Sequence, residues 1–279
     1  MNAPMSPPRS YAFPPGGLPD PGANPEGRAV FTPAYAFLPA DTMRDIVTTN
    51  LPYWRDARFW IIARPMSGFA ETFAQYAVEV APGGGSEMPE PDLGAEAVLL
   101  IAAGTGALTI AGTKHALTPG TYAFIPPDTS WSITNTGTTP LQFHWIRKRY
   151  QPVAGVTPPA AFVTNDADHT PVPMPITDKW ATTRFVDPTD MAHDMHVNIV
   201  TFQPGGRIPF AETHNMEHGL YVLEGSARYL LNQDWVEVGP GDFMWLRAFC
   251  PQACIATGIG PFRYLLYKDM NRHPELTLP

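Results

Sequence analysis

The stretch PGGRIPFAETHNMEHGLYVLEG, residues 204–225, aligns with PGGGSEMPEPDLGAEAVLLIAAG, residues 82–104, when the chain is shifted on itself by 121 residues. One residue is absorbed at the first proline, and from the second glycine onward the alignment needs no gap. The pairs that share a turn residue or a cation are Gly84 and Gly205, Gly104 and Gly225, Pro119-Gly120 and Pro240-Gly241, Pro140 and Pro261, and Arg147 and Lys268. The chain is therefore an internal duplication, and the same fold is expected for both copies.

Short apolar runs bounded by glycine or proline make up most of each copy. Examples are TFAQYAVEV, AVLLIAAG, HVNIVTF and RYLLYK, and helical periodicity is nearly absent. These features predict an all-β chain in which each copy closes into a small jelly-roll barrel. Proline is concentrated before and between the copies, which predicts an N-terminal arm at residues 1–30, a first barrel at 31–150, a linker at 151–175 and a second barrel at 176–279.

The charge of the chain argues against two classes of partner. The formal net charge is −8 and the longest basic cluster is RKR at residues 147–149, so we expect neither a nucleic acid nor an anionic membrane surface to bind. No run approaches the roughly 18 apolar residues of a membrane span, and the N-terminus lacks a secretory signal pattern. We therefore expect a cytoplasmic protein with a small-molecule partner, and a homo-oligomer because exposed barrel edges often pair.

Cys250 and Cys254 are the two cysteines, and they stand four residues apart in a segment that is typical of a strand. On one strand their Cα atoms would lie about 13 Å apart, which is beyond the reach of a disulfide. We therefore expect free thiols in a reducing compartment. In this interpretation they are small apolar fillers, and lining of a cavity is the alternative.

The second copy carries polar residues where the first copy is apolar. Glu212, His214 and His218 follow Gly206 at the spacing of the cupin signature, in which three histidines and a glutamate bind one metal inside the barrel. Gln252 stands where the second half of that signature has its last histidine. The sequence thus resembles a bicupin, which has two tandem jelly-roll barrels, with the metal site in the second barrel.

The order of residues along the chain supports this site. Glu212 and His214 are two residues apart, so on one strand they would share a face, and Gln252 would share a face with the two cysteines. The matching positions of the first copy hold no metal-binding side chain, and they are Pro91, Leu93, Ala97 and Trp131. We therefore expect the first barrel to be a metal-free scaffold.

Two imidazoles, a carboxylate and an amide oxygen form a comparatively hard donor set. Mn(II) is the expected ion, and Fe(II), Zn(II), Co(II) and Ni(II) are alternatives that the donor types do not exclude. Four protein ligands leave up to two coordination positions for a chelating small molecule. Two points stay open, because the amide of Gln252 could orient a carboxylate instead, and Glu217 is a weaker candidate ligand on the opposite strand face. The six other histidines have no partner at ligand spacing.

Several longer segments resemble the (S)-ureidoglycine aminohydrolases, which are bicupins of allantoin degradation. The most specific are the Glu-x-His-x-x-x-His run at residues 212–218 and FCPQAC at residues 249–254, and the resemblance covers nearly the whole chain. It implies a manganese-dependent hydrolase acting on a C–N bond, which converts (S)-ureidoglycine into (S)-ureidoglycolate and ammonia in purine catabolism. It also implies metal binding by Glu212, His214, His218 and Gln252, and substrate binding by Glu212, Tyr229, Gln252, Tyr264 and Lys268.

Two of these residues are candidates for the catalytic chemistry. Glu212 would lie beside the substrate and could carry a proton to the leaving amine, although coordination to a metal would lower its basicity. Lys268 would bind the substrate carboxylate, and Tyr264 alternates with it on one strand, so both could face the cavity. Plainer roles stay open, because Lys268 could be a solvated strand end and Tyr229 and Tyr264 could be core aromatics.

Two other classes of protein remain as alternatives. A metal-dependent cupin dioxygenase acting on a small chelating substrate would consume oxygen during turnover. A two-barrel storage or sugar-binding protein would need no metal. Measurements of metal content and oxygen uptake distinguish these classes from a hydrolase.

Overall fold

The computed structural model describes residues 29–43, 50–65 and 69–273. Its first ten strands are β1 (Val30–Phe31), β2 (Tyr35–Leu38), β3 (Trp54–Ala63), β4 (Ala74–Ser86), β5 (Ala95–Ala103), β6 (Gly106–Ile110), β7 (Thr113–Leu117), β8 (Thr121–Ile125), β9 (Trp131–Asn135) and β10 (Leu141–Arg149). The other ten are β11 (Phe162–Asn165), β12 (Val172–Met174), β13 (Thr177–Thr183), β14 (Met195–Phe202), β15 (His218–Glu224), β16 (Ala227–Leu231), β17 (Asp234–Val238), β18 (Phe243–Leu246), β19 (Gln252–Ala256) and β20 (Phe262–Asp269).

Helical structure is limited to short 3-10 turns, which include Ala40–Met43 and Asp166–Asp168, and the described residues contain no α-helix. Within these same parts of the chain, no helix is long and apolar enough to cross a membrane. The predicted all-β chain is confirmed.

The duplication is visible in the bounds of the strands. At the offset of 121 residues, β6, β7 and β9 correspond residue for residue to β16, β17 and β19. The strand register agrees, because Arg147 pairs with Ala97 in the first barrel as Lys268 pairs with His218 in the second. The sequence alignment that located the candidate site therefore holds in three dimensions.

Each barrel combines neighbouring antiparallel strands from a long sheet with a three-stranded group. In the second barrel the long sheet contains β18-β15-β20-β14-β13, and β17-β16-β19 form a separate sheet. In the first barrel the corresponding order β8-β5-β10-β4 continues into β9-β6-β7, and β3 also pairs with β4. Alternate residues of the long sheet in the second barrel face its interior, where Val200, Leu220 and Tyr264 lie in one core.

The opposite faces of the two long sheets pack against each other and join the barrels. This interface is a single buried apolar cluster that includes Val98, Leu100, Ile146, Ile199 and Leu265. A buried ion pair also crosses it, with Lys148 Nζ 2.9 Å from Asp194 Oδ2. The first barrel therefore packs against the outer face of the long sheet of the second barrel.

Edge strands are exchanged between the two halves of the chain. β1 pairs with β2, and β2 pairs with β18, so residues 30–38 extend the sheet of the second barrel. The sequence assigned most of this segment to the first barrel, but its apolar Tyr35 and Phe37 complete the core of the second. β11, which follows the first barrel, returns to pair with β8. Of the predicted arm, residues 1–28 lie outside the described residues.

Candidate active site

The four predicted metal ligands lie in one region of the second barrel. Glu212 forms an isolated antiparallel pair with Gln252 through two backbone hydrogen bonds of 2.9 Å. Residues paired in this way point their side chains to the same face. Gln252 begins β19 and His218 begins β15, so the site joins the two sheets of the barrel.

The strand predicted for Glu212 and His214 is wrong. Glu212 is a single bridge residue, and His214 lies in an irregular segment before β15. This segment forms two isolated bridges with β19, Arg207 with Ile255 and Glu212 with Gln252. The bridges are five residues apart in the segment but only three apart in β19, so no continuous ladder of hydrogen bonds connects them. Pro209 in this segment has no N–H to donate to a ladder. His214 is held instead by its carbonyl oxygen, which accepts a hydrogen bond of 2.6 Å from the backbone N–H of Phe249.

The side chains of the site approach one another around the carboxylate of Glu212. Its Oε1 is 3.5 Å from Nε2 of His214 and 3.4 Å from Nε2 of Gln252. The ring centroids of His214 and His218 are 4.9 Å apart. No described residue donates a hydrogen bond to Oε2 of Glu212, so that oxygen is available to a ligand.

Burial controls the charge state at the base of the site. His218 is 4% exposed, and burial, with smaller contributions from neighbouring His214 and the ammonium of Lys268, lowers its pKa to about 3. Its imidazole is therefore neutral at pH 7 and has a free lone pair for a metal. Burial also lowers the pKa of Lys268, and Arg184 acts in the same direction while Glu212 opposes it.

The donor types fit a divalent ion, but the donor atoms of the four side chains do not converge on one point. Within residues 29–43, 50–65 and 69–273, no three His, Cys, Asp or Glu side chains are arranged as a metal site. The fourth expected donor is an amide, and Oε1 of Gln252 accepts a hydrogen bond of 2.9 Å from the hydroxyl of Tyr229. A carbonyl oxygen has a second lone pair that can bind an ion at the same time. The metal site thus stays a prediction with a suitable donor set.

The two predicted substrate-binding tyrosines lie beneath these donors. Tyr229 and Tyr264 are buried in the core of the second barrel, with ring centroids 6.0 Å apart. Burial raises the pKa of both phenols above its ordinary value, so both are neutral donors. The hydroxyl of Tyr229 contacts Gln252, which makes Tyr229 a support for a candidate ligand as well as part of the core.

Glu217 points away from the site, toward the first barrel. Its carboxylate accepts hydrogen bonds from the backbone N–H groups of Glu71 at 2.9 Å and Thr72 at 2.6 Å, from the hydroxyl of Thr72 and from Nε1 of Trp245 at 2.7 Å. Adjacent residues at the start of a strand face opposite ways, so His218 points inward and Glu217 outward. The alternative that Glu217 is a metal ligand is therefore excluded.

The two cysteines are free and buried, as predicted. Both belong to the apolar core of the second barrel, and burial raises the pKa of both thiols. They therefore fill space and are not poised as thiolates. The strand begins at Gln252, so Cys250 precedes it, and the predicted common strand face does not extend to that residue.

The first barrel shows what the corresponding positions do without a metal-binding set. Ala97 and Trp131 are buried in its apolar core. Arg147, at the register position of Lys268, donates a hydrogen bond of 2.6 Å to the carboxylate of Glu90. Lys268, in contrast, has neither an ion pair nor a hydrogen bond with any described residue. The first barrel thus pairs Arg147 with its own carboxylate, whereas Lys268 of the second barrel is available to a carboxylate of a ligand.

Two inward-facing polar residues were missed by reasoning from histidine spacing alone. His196 pairs directly with Lys268, and Asn198 follows two positions later on β14. The signal was present in the run HVNIVTF, because His196 and Asn198 share the strand face of Val200 and Phe202, which lie in the barrel core.

The fold and this site define a bicupin in which the second barrel carries the polar interior. A family model described as "Cupin domain" matches residues 76–147 and 198–267, one segment in each barrel and together about half of the chain. The chain therefore belongs to the cupin family, and the predicted bicupin fold is confirmed.

Relatives narrow the comparison further. The (S)-ureidoglycine aminohydrolase of Escherichia coli (strain K12) is 29% identical over 233 residues, which cover 83% of this chain and 87% of the relative. The (S)-ureidoglycine aminohydrolase of Arabidopsis thaliana is 28% identical over 248 residues, which cover 88% and 79%. A solved structure from Pseudomonas aeruginosa, described as a glyoxylate-induced protein, is 62% identical, with a TM-score of 0.88 and coverage of 97% and 100%. The two named aminohydrolases confirm the predicted resemblance and support a hydrolase acting on a C–N bond.

Proposed function

We propose that the chain is a manganese-dependent enzyme that converts (S)-ureidoglycine and water into (S)-ureidoglycolate and ammonia in purine catabolism. Relatives named for this activity match most of the chain. The observation that carries the proposal is the unpaired cation of Lys268, which stands beside neutral His218 and near Glu212. No comparison favours the alternative of a cupin dioxygenase. The homo-oligomer, the small-molecule partner and the cytoplasmic location stay predictions.

Lys268 would bind the carboxylate of the substrate. A half-buried ammonium without an acidic partner is costly, and a ligand carboxylate would compensate it by a charge-assisted hydrogen bond. The first barrel supports this role, because Arg147 at the same register position is already paired with Glu90. A carboxylate from the substrate would take the place in the second barrel that Glu90 takes in the first.

Glu212, His214, His218 and Gln252 would hold the metal ion. When bound, the ion would act as a Lewis acid and orient a chelating substrate. Tyr229 would fix the carbonyl of Gln252 through the hydrogen bond to its Oε1. Tyr264, on the same strand face as Lys268, would close the base of the substrate cavity.

Glu212 is our candidate for the proton transfer. In the reaction the C–N bond to the amine breaks, a C–O bond to water forms, and a proton from that water leaves with the amine as ammonia. The unpaired Oε2 of Glu212 would take this proton and deliver it, and such transfer is typically worth about 10² to 10⁴ in rate. Binding of the substrate carboxylate at Lys268 would hold the reacting carbon in place during both steps.

The proposal is tested with freshly generated (S)-ureidoglycine and Mn(II)-loaded protein. We expect ammonia and (S)-ureidoglycolate in equal amounts without oxygen uptake, and the Glu212→Gln variant should lose most of this turnover. Ammonia release at the spontaneous rate would reject the proposed activity. If Glu212→Gln keeps both its metal and most of its turnover, Glu212 is not the proton carrier.

A further inference from the structure

A row of polar side chains crosses the inner face of the second barrel beside the candidate site. Lys268 pairs with His218 on one side and with His196 on the other. Directly opposed residues on neighbouring strands point to the same face, with Cβ atoms roughly 4.5 to 5.5 Å apart. His196 therefore lies next to Lys268, on the side away from the candidate metal ligands.

Asn198 continues this wall along β14. It pairs with Leu266, which packs against the core of the second barrel. Its chain neighbours Val197 and Ile199 belong instead to the interface between the barrels. Alternation along the strand therefore turns the side chains of Asn198 and His196 into the barrel.

Both side chains are buried, and each has a polar atom without a partner. His196 is 1% exposed and Asn198 is 2% exposed. No described residue hydrogen-bonds to Nε2 of His196 or to Oδ1 of Asn198. Buried polar atoms are paired in the great majority of cases in folded proteins. Nε2 of His196 and Oδ1 of Asn198 are therefore open to a ligand group that reaches this wall.

The chemistry of this wall selects a neutral, planar group. Burial, with the positive charge of Lys268, lowers the pKa of His196 to about 4, so its ring is neutral at pH 7. A neutral imidazole has one N–H and one free lone pair, and a carboxamide offers both a donor and an acceptor. An amide or a urea, with N–H and C=O groups side by side, complements such a wall.

We infer that His196 and Asn198 form a subsite for the terminal ureido group of the substrate. Oδ1 of Asn198 accepts an N–H from the terminal amide, and Nε2 of His196 donates to the ureido carbonyl oxygen. Lys268 lies between this subsite and the candidate metal ligands, at the position where the carboxylate binds. The identity of the substrate rests on the proposed function.

Two probes of the same shape test the subsite without turnover. N-carbamoylglycine keeps the ureido and carboxylate groups but lacks the amine that is released, and N-acetylglycine has a methyl group in place of the terminal NH₂. Calorimetry on the Mn(II)-loaded protein should show N-carbamoylglycine binding about tenfold more tightly, because the methyl group leaves a buried acceptor unpaired.

Variants of β14 show where this discrimination arises. Asn198→Leu should bind both probes about equally. The matched control is Thr201→Val, which removes a polar group from the opposite face of the same strand and should keep the tenfold difference. Asn198→Ser removes the reach of the carboxamide with a smaller change in packing, and it replaces the leucine variant if that variant does not fold.

The outcomes separate this subsite from the proposed function. Absent or equal binding of the two probes by the wild-type protein, or a tenfold difference retained in a folded Asn198 variant, would overturn the subsite. A wild-type protein that prefers N-carbamoylglycine but releases no ammonia from (S)-ureidoglycine would reject the proposed activity and support the subsite.

Discussion

Replacing Glu217 with alanine should destabilise the folded protein by roughly 3 to 5 kcal/mol. The carboxylate accepts four hydrogen bonds, from the backbone of Glu71 and Thr72, the hydroxyl of Thr72 and the indole of Trp245. Each such bond contributes about 1 kcal/mol, and more when its donor is left buried without a partner. Glu217 is 3% exposed, so water does not easily replace the carboxylate. Burial raises the pKa of Glu217, and the four hydrogen bonds oppose that shift.

Urea unfolding of the metal-free protein measures this loss, and Glu224→Ala is the matched control. Glu224 ends the same strand, is exposed, and has its nearest cation, Arg263, 3.9 Å away. An exposed ion pair of this kind contributes less than about 1 kcal/mol. If Glu217→Ala costs no more than Glu224→Ala, the hydrogen bonds of Glu217 do not stabilise the fold, and the three from Glu71 and Thr72 do not join the barrels in the way we describe.

The same variant should also weaken the binding of Mn(II). His218 follows Glu217 directly, so the contacts of Glu217 with the first barrel fix the backbone from which a candidate ligand projects. Loss of a supporting contact to a metal ligand typically costs about 10- to 100-fold in affinity. Unchanged Mn(II) affinity in folded Glu217→Ala would show that His218 is positioned without help from the first barrel.

Three further predictions concern the site and the histidines. Lys268→Met should raise KM for (S)-ureidoglycine and lower kcat. The control Lys179→Met removes an exposed cation from the same sheet and should change neither constant. Equal kinetics for the two variants would show that Lys268 does not contact the substrate. Tyr229→Phe should weaken Mn(II) binding about tenfold in equilibrium dialysis, because Gln252 loses its hydroxyl partner; unchanged affinity would mean that the hydroxyl does not position a ligand. The metal-free protein should lose stability as the pH falls from about 6.5 toward 4. Burial lowers the pKa values of His144 and His196 to about 4. In this pH range both rings stay neutral in the folded protein, whereas the same histidines take up protons in the unfolded chain. The free energy of unfolding, measured by urea titration at each pH, should fall by up to about 1.4 kcal/mol per pH unit for each histidine, and a flat profile would contradict their burial as neutral groups.

The duplicated fold could be predicted because some turn residues depend on the backbone alone. Gly104 and Gly225 have φ angles of 80° and 75°. A Cβ atom would lie 2.4 Å from the carbonyl oxygen of Pro140 at the first position and 2.1 Å from that of Pro261 at the second. Only glycine fits such positions without strain, so both copies retain it while their other residues diverge.

The local geometry of the site was harder to predict. Phe249 and Asp128 occupy matching positions of the two copies, and both have a positive φ, 67° and 57°, that usually favours glycine. The backbone turn is thus preserved although the residue that usually allows it is absent. The contacts of Glu217 also had no local signal, because its partner Thr72 lies 145 positions away in the sequence.

The exchanged edge strands make the two halves of this duplication mutually dependent. β2 covers the edge of β18 and β11 covers the edge of β8, so each half protects a strand of the other. A fragment that begins between residues 150 and 176 would lack β2. Its β18 would then expose backbone N–H and C=O groups to intermolecular pairing. Substitutions can therefore remove the site residues of one copy, but deletion of that whole copy would expose an edge strand of the other.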